Sequence, residues 1–150
     1  MKLALASIAL TTLIAAPLSA QAQFAKPEDA VKYRQSAFAL MGAHTGRVGA
    51  VVKGEKPYNK AAVEADVAVM EMMSKLAFTA FPAETDLPNS KAKPDIWKEQ
   101  DKFKAAAEKM QGEMGKLSAA AKSGDLNAIK TAFGGVGQSC KACHDNYRNK

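Results

Sequence analysis

The residues of this chain best suited to chemistry are Cys140, Cys143 and His144, in the run Cys140-Lys141-Ala142-Cys143-His144. Two cysteines three positions apart, followed at once by a histidine, form a C-x-x-C-H box, the attachment pattern of c-type haem. The spacing serves the chemistry. Two neighbouring thiols add across the two vinyl groups of one porphyrin, and the adjacent histidine reaches the iron as an axial ligand. The box uses both cysteines of the chain, so no disulfide and no cysteine-rich zinc site can be assembled from what remains. A thioredoxin-like redox pair belongs beside a βαβ pattern, and none is visible. A zinc site needs a further ligand, and His44 is the only other histidine. The residues therefore point to one haem c per chain, covalent through Cys140 and Cys143, with His144 on the iron.

The first residues of the chain address it for export. Lys2 supplies a short positive start, residues 3–18 are mostly apolar, and Ala20-Gln21-Ala22 is a small-x-small cleavage site. Residues 1–22 read as a secretory signal peptide, too short and wrongly flanked for a membrane anchor. Residues 23–150 then form one domain, with no later stretch approaching the length of a membrane span. Export fits haem attachment, which in bacteria occurs outside the cytoplasm, and places the protein in the periplasm. The formal charge of +6 is spread over many lysines, and no nucleic-acid motif accompanies it. That excess implies a solvated surface with a mild preference for acidic partners and no nucleic-acid role.

Four helical stretches must position the box. The first spans about 27–53, with Pro27 suited to the first helical position and Glu28 and Asp29 to the positive end of the dipole. Its apolar seam is Val31, Arg34, Phe38, Met41, Thr45, Val48 and Val52, with one charged member, Arg34. The second starts after Asn59, a good N-cap, and runs to about Phe81, with Val63, Val67, Met70, Ser74, Ala77 and Phe81 on its seam. Pro82 stops it, and residues 82–93 read as a long surface loop. The third begins at Pro94 and carries Ile96, Gln100, Phe103, Ala107, Met110, Met114, Leu117 and Ala121. After the turn Ser123-Gly124-Asp125, the fourth spans about 125–148, with Leu126, Ile129, Phe133, Val136, Cys140, Cys143 and Tyr147 on its seam. The haem thiols thus lie on an apolar stripe, with His144 on the same flank. Gly134, Gly135 and Gly137 leave room for a porphyrin edge or for tight helix packing. With no period-two strand pattern, four such helices specify an all-α antiparallel four-helix bundle with covalent haem near the C-terminus. The methionines at 41, 70, 72, 73, 110 and 114 read as adaptable core filling.

The terminal box, with Tyr147 and Arg148 after it, and the opening run Gln23-Phe24-Ala25-Lys26-Pro27-Glu28-Asp29 onward resemble the cytochromes c′, a family that is itself a type example of the four-helix bundle. The resemblance covers residues 23–150. It implies a periplasmic homodimer packed through its first two helices, a five-coordinate high-spin haem, and a role in binding nitric oxide and carbon monoxide or in electron transfer rather than catalysis. Residue by residue, it makes His144 the proximal ligand and sets Arg148 beside the proximal pocket. Arg34 and Gln35 fall near the haem propionates. Phe38 falls where the family places an apolar residue, commonly leucine, above the open iron face. The alternative is a low-spin electron carrier. No methionine follows His144, so a sixth ligand would come from upstream, and Met41 on the Phe38 seam is the candidate. His44 reads as an exposed or interface histidine. Gly42, Gly46, Gly49 and Ala50 offer a surface for close helix approach, between copies or inside the bundle.

Overall fold

The computed structural model describes residues 23–150; the expected signal peptide, residues 1–22, lies outside them. Five helices follow in order: α1 (Pro27–Val52), α2 (Lys60–Leu76), α3 (Asp95–Lys98), α4 (Gln100–Ser123) and α5 (Leu126–Tyr147), with a 3₁₀ turn, Ala77–Ala80, continuing α2. α1 packs on α2, α2 on α4, α4 on α5, and α5 returns to α1. These four long helices close an antiparallel bundle, and no β-ladder longer than one isolated bridge occurs among the described residues.

Local chemistry sets the helix ends. Pro27 opens α1, where its missing N–H costs nothing. The Asn59 side chain accepts the Ala62 N–H at 3.0 Å and starts α2. Gly124, at φ 79°, ends α4 in the left-handed region that glycine adopts freely. Asp125 then caps α5, its Oδ1 accepting from Asn127 and Ala128 N–H.

Two of the expected helices are interrupted. α2 gives way to the 3₁₀ turn at Ala77 instead of continuing to Phe81. Pro82 disfavours the α conformation in the residue before it, and the last turn tightens. The helix expected from Pro94 onward breaks at Glu99 (φ −122°, ψ 48°) into the short α3 and the long α4. The break allows Ile96 of α3 to be buried while Phe103 of α4 meets Phe81 and Tyr147, with ring centroids 4.9 Å and 5.3 Å apart.

The core follows the seams. Val48, Val63, Val67, Met70, Met114, Leu117, Ile129 and Val136 are all but sealed from solvent. Burying side chains of this size contributes about 1.5–3 kcal/mol each. Of the six methionines read as core, Met72 is a correction, because it is 60% exposed on α2. The glycines of α1 lie on one stripe of the helix but meet different surroundings. Gly49 meets Phe133 of α5, Gly42 lines a cavity, and Gly46 is open. In α5, it is Gly135 that permits close approach, to the Glu113 carboxylate of α4, while Gly134 and Gly137 have no neighbour beyond their own helix.

Candidate haem-binding site

The seven residues singled out from the sequence, Arg34, Gln35, Phe38, Cys140, Cys143, His144 and Arg148, line one cavity of about 660 Å³. Such a volume suits a cofactor-sized ligand. α5 supplies Cys140, Cys143 and His144, and Arg148 follows at its C-cap. α1 supplies Arg34, Gln35, Phe38 and also Met41. The floor is apolar: Phe78, Phe81, Ile96, Phe103, Met110 and Tyr147. The rings pack on one another, Phe38 edge-on to Phe78 at 5.6 Å and Phe103 near Phe78 at 5.6 Å. The packed rings give the cavity an apolar wall.

Both cysteines are free and half-buried. Burial pushes both thiols above their ordinary range, and the nearby Cys140 adds to the rise at Cys143. The protonated thiol form is therefore favoured in this pocket. Burial, and then the Arg148 guanidinium, pull the His144 imidazole down, with Asp145 opposing. A neutral imidazole is the form that ligates a metal. The donor set fits haem c: two free thiols, a neutral histidine beside them, and an apolar cavity large enough for a porphyrin face.

Arg34 carries a structural duty that sequence reasoning missed. It is 2% exposed. Its Nη1 donates to Ala80 O and Thr85 Oγ1, both at 2.9 Å. Its Nη2 donates to Thr85 O at 2.7 Å and Ser90 Oγ at 2.9 Å. The guanidinium also lies 4.5 Å from the centroid of the Phe81 ring. All four Nη hydrogens are thus spent on the segment after α2, and only Nε–H remains for a propionate. Gln35 reaches the same segment, donating from Nε2 to Asn89 O at 3.0 Å.

Residues 82–93 are the mostly exposed loop expected from the sequence, and part of that loop is also a wall of the site. Thr85 is 1% exposed, and Asn89, Ser90, Lys91 and Ala92 line the cavity. The far end of the segment pairs with the residues after the box. Ala92 and Arg148 form an antiparallel bridge, Lys93 N–H donates to Tyr147 O at 3.0 Å, and Asn149 N–H donates to Lys91 O at 2.8 Å. The only sequence signal for this was Arg34 itself, a charge on an apolar seam. His44 stays outside the cavity. Its Nδ1 pairs with Asp66 Oδ1 of α2 at 2.6 Å, and Arg47 shares that carboxylate at 3.2 Å.

A family model described as Cytochrome C' matches residues 29–148. The chain belongs to the cytochrome c′ family. It is 52% identical over 128 residues to cytochrome c' of Alcaligenes xylosoxydans xylosoxydans, covering 85% of this chain and 99% of that one. It is 44% identical over 129 residues to cytochrome c' of Rubrivivax gelatinosus, covering 85% and 100%. Among solved structures, Rubrivivax gelatinosus cytochrome c' superposes with a TM-score of 0.82 at 44% identity, covering 85% of this chain and all of that one. A nitric oxide complex of a leucine variant of cytochrome c prime from Alcaligenes xylosoxidans gives 0.81 at 51% identity, covering 85% and 99%. As a cytochrome c′, this chain is a covalent haem c protein, and the four-helix bundle is the fold of its relatives.

Proposed function

We propose that this cytochrome is a periplasmic binding protein for small neutral diatomics, nitric oxide and carbon monoxide. In this reading Cys140 and Cys143 hold the haem as thioethers and His144 ligates the iron. The observation that carries the proposal is the cavity itself, in which thiols and histidine on α5 share an apolar chamber with Phe38 on α1. A leucine variant of a relative with half of its sequence in common forms a nitric oxide complex, which supports the same ligand here. When bound, the haem supplies an iron with one coordination position left for a ligand.

The chain's own residues set the terms of access. Phe38 packs against Phe78 and Phe81, so a ligand entering the cavity on the Phe38 side would have to push a packed ring aside. Overpacking of that kind costs about 1–3 kcal/mol, which lowers affinity by about one to two orders of magnitude. Arg148 flanks His144 on the proximal side. Gln35 and the Nε–H of Arg34 remain to meet the propionates at the mouth. No carboxylate and no second histidine is among the residues lining the cavity, so no side chain is placed to cleave an O–O bond, and we read a binder rather than an enzyme.

Three further elements complete the proposal. Residues 1–22 direct export and are removed. Leu40 on α1 (50% exposed) and Met72 on α2 (60% exposed) belong to a face on which a second copy packs, forming a homodimer. Met41 also lines the cavity, and its ligation of the iron is the alternative that makes the protein a low-spin electron carrier. The test combines spectroscopy with Phe38→Ala. A ferrous spectrum of five-coordinate high-spin type, with carbon monoxide affinity rising at least several-fold in Phe38→Ala, is the expected result. A low-spin spectrum that turns high-spin in Met41→Ala would establish the alternative.

A further inference from the structure

One side-chain oxygen joins the two sides of the cavity. Ser90 Oγ accepts from Arg34 Nη2 at 2.9 Å and from Ala92 N–H at 3.1 Å. Both acceptor positions of the hydroxyl are thereby filled, one by a donor on α1 and one by the segment that runs on to residue 93. The Arg34 end is fixed, since the guanidinium is 2% exposed and also holds Ala80 O and Thr85. The other end is an antiparallel pairing. Lys93 N–H donates to Tyr147 O and Asn149 N–H to Lys91 O, on either side of the Ala92–Arg148 pair. In such a pair the two facing residues do not bond each other, so Ala92 N–H points away from Arg148 and is free for Ser90. Lys93 Nζ adds a tie to Asp145 O at 2.9 Å. Hydrogen bonds and backbone thus run unbroken from Arg34 on α1, through Ser90 and residues 91–93, to residues 147–149.

Arg148 stands in the middle of that paired stretch. Its guanidinium forms no ion pair among the described residues, so its place rests on the backbone that carries it. That place bears on the site. Arg148 lines the cavity with His144, and its positive charge reaches the imidazole.

From this geometry we propose that Ser90 is a positioning residue for Arg148. Through residues 91–93 its hydroxyl holds the Arg148 charge beside His144, and so sets part of the balance between oxidised and reduced haem. The proposal rests on the haem reading above. A cation held beside the axial ligand favours the reduced form, which carries one positive charge fewer. Once released, an exposed arginine spends its time in solvent, where its charge is screened.

The test starts from Ser90→Ala in the holoprotein. Arg34 keeps its bonds to Ala80 and Thr85 in this variant, so the anchor of the wall stays. The amides of Lys93 and Asn149 should exchange at least about tenfold faster, as the paired stretch opens more often. In a spectroelectrochemical titration, the ratio of reduced to oxidised protein at a fixed potential should fall by about two- to threefold. That is the effect of one charge retreating a few ångströms in the intermediate dielectric of a protein surface. Ser90→Thr keeps the hydroxyl and should restore both readouts. The deciding measurement is Ser90→Ala in an Arg148→Gln background. There it should still speed exchange, but leave the redox ratio where Arg148→Gln alone puts it. An equal redox shift with and without Arg148 would overturn the proposal, because Arg34, loosened over the cavity, would be its source. Unchanged exchange at residues 93 and 149 in Ser90→Ala would overturn it too. A haem-loaded protein without an Arg148-dependent redox shift refutes the positioning role alone, whereas a mature chain without haem refutes the function on which it rests.

Discussion

Replacing Arg34 with methionine tests the finding that this residue anchors a wall of the site. The substitution keeps an unbranched stem of similar length and removes the guanidinium. Of the four acceptors it leaves, two retain other partners: Thr85 Oγ1 still donates to Pro82 O, and Ser90 Oγ still accepts from Ala92 N–H. The carbonyls of Ala80 and Thr85 are left without the partner the guanidinium supplied. Each unsatisfied buried group costs about 1–3 kcal/mol, and the lost stacking over Phe81 about 0.5–2 kcal/mol. Against this, a buried charge is relieved, whose cost is visible in the guanidinium pKa, lowered by burial and only partly restored by Asp86. The methionine also gains apolar burial of about 1.5–3 kcal/mol. The net expectation is a loss of about 3 kcal/mol, or about 10 °C in Tm for a domain of this size. Thermal unfolding of the holoprotein measures the loss, and amide hydrogen exchange locates it, with faster exchange expected across residues 82–93. Thr85→Val, which removes the hydroxyl that accepts from Arg34 and donates to Pro82 O while Pro82 O keeps the Trp97 Nε1–H, should cost about 1–2 kcal/mol. A Tm shift below about 3 °C with unchanged exchange in 82–93 would refute the anchoring role. If the haem spectrum alone changed, the guanidinium's partner would be the cofactor and not the wall.

Other outcomes follow from single features. Gly112 and Gly115 lie inside α4 with open space where a Cβ would stand, so each changed to alanine should raise stability by about 0.5–1 kcal/mol, measured by urea denaturation. Glu71 is held below the usual carboxylate range, first by its hydrogen bond from Lys75 and then by Ser118 of α4. A depressed carboxylate contributes stability above its unfolded pKa that is lost as pH falls through the folded value. The Glu71→Gln variant should accordingly be less stable by about 0.3–0.5 kcal/mol at pH 7, with the difference shrinking as pH falls through the folded-state pKa of Glu71. Replacing either Cys140 or Cys143 with alanine should leave haem held by one thioether, with a red-shifted α-band in the pyridine haemochrome and a smaller yield of holoprotein. Mass spectrometry of the exported protein should find a chain beginning at Gln23 with one haem; a chain still carrying residues 1–22 would contradict the export reading.

Much of the bundle could be read along the chain because helix formation and burial repeat with short periods. Every residue of the second seam from Val63 to Ala77 is buried, as are Ala107, Met110, Met114, Leu117 and Ala121 of the third. The binding box was equally legible, since thioether attachment and iron ligation demand a fixed local spacing that survives any tertiary arrangement. Asn59, Gly124 and Asp125 announced their turns through local hydrogen bonds and backbone conformation.

What periodicity could not reveal were contacts between distant segments. Arg34 and Thr85 stand 51 positions apart, and nothing local distinguishes a buried anchor from a propionate ligand on the same seam. Met72 groups with the core methionines by composition, yet it lies off the seam that carries Met70, and one is exposed and the other sealed. The glycines of α1 suggested one smooth face, but their surroundings are set by Phe133 of α5 and by the cavity. Sequence alone thus determined the helices, their buried stripes and the haem chemistry, all governed by interactions within a few residues. Only the tertiary structure decided that part of residues 82–93 walls the site, since that depends on backbone pairing between residues 91–93 and 147–149, segments more than fifty positions apart.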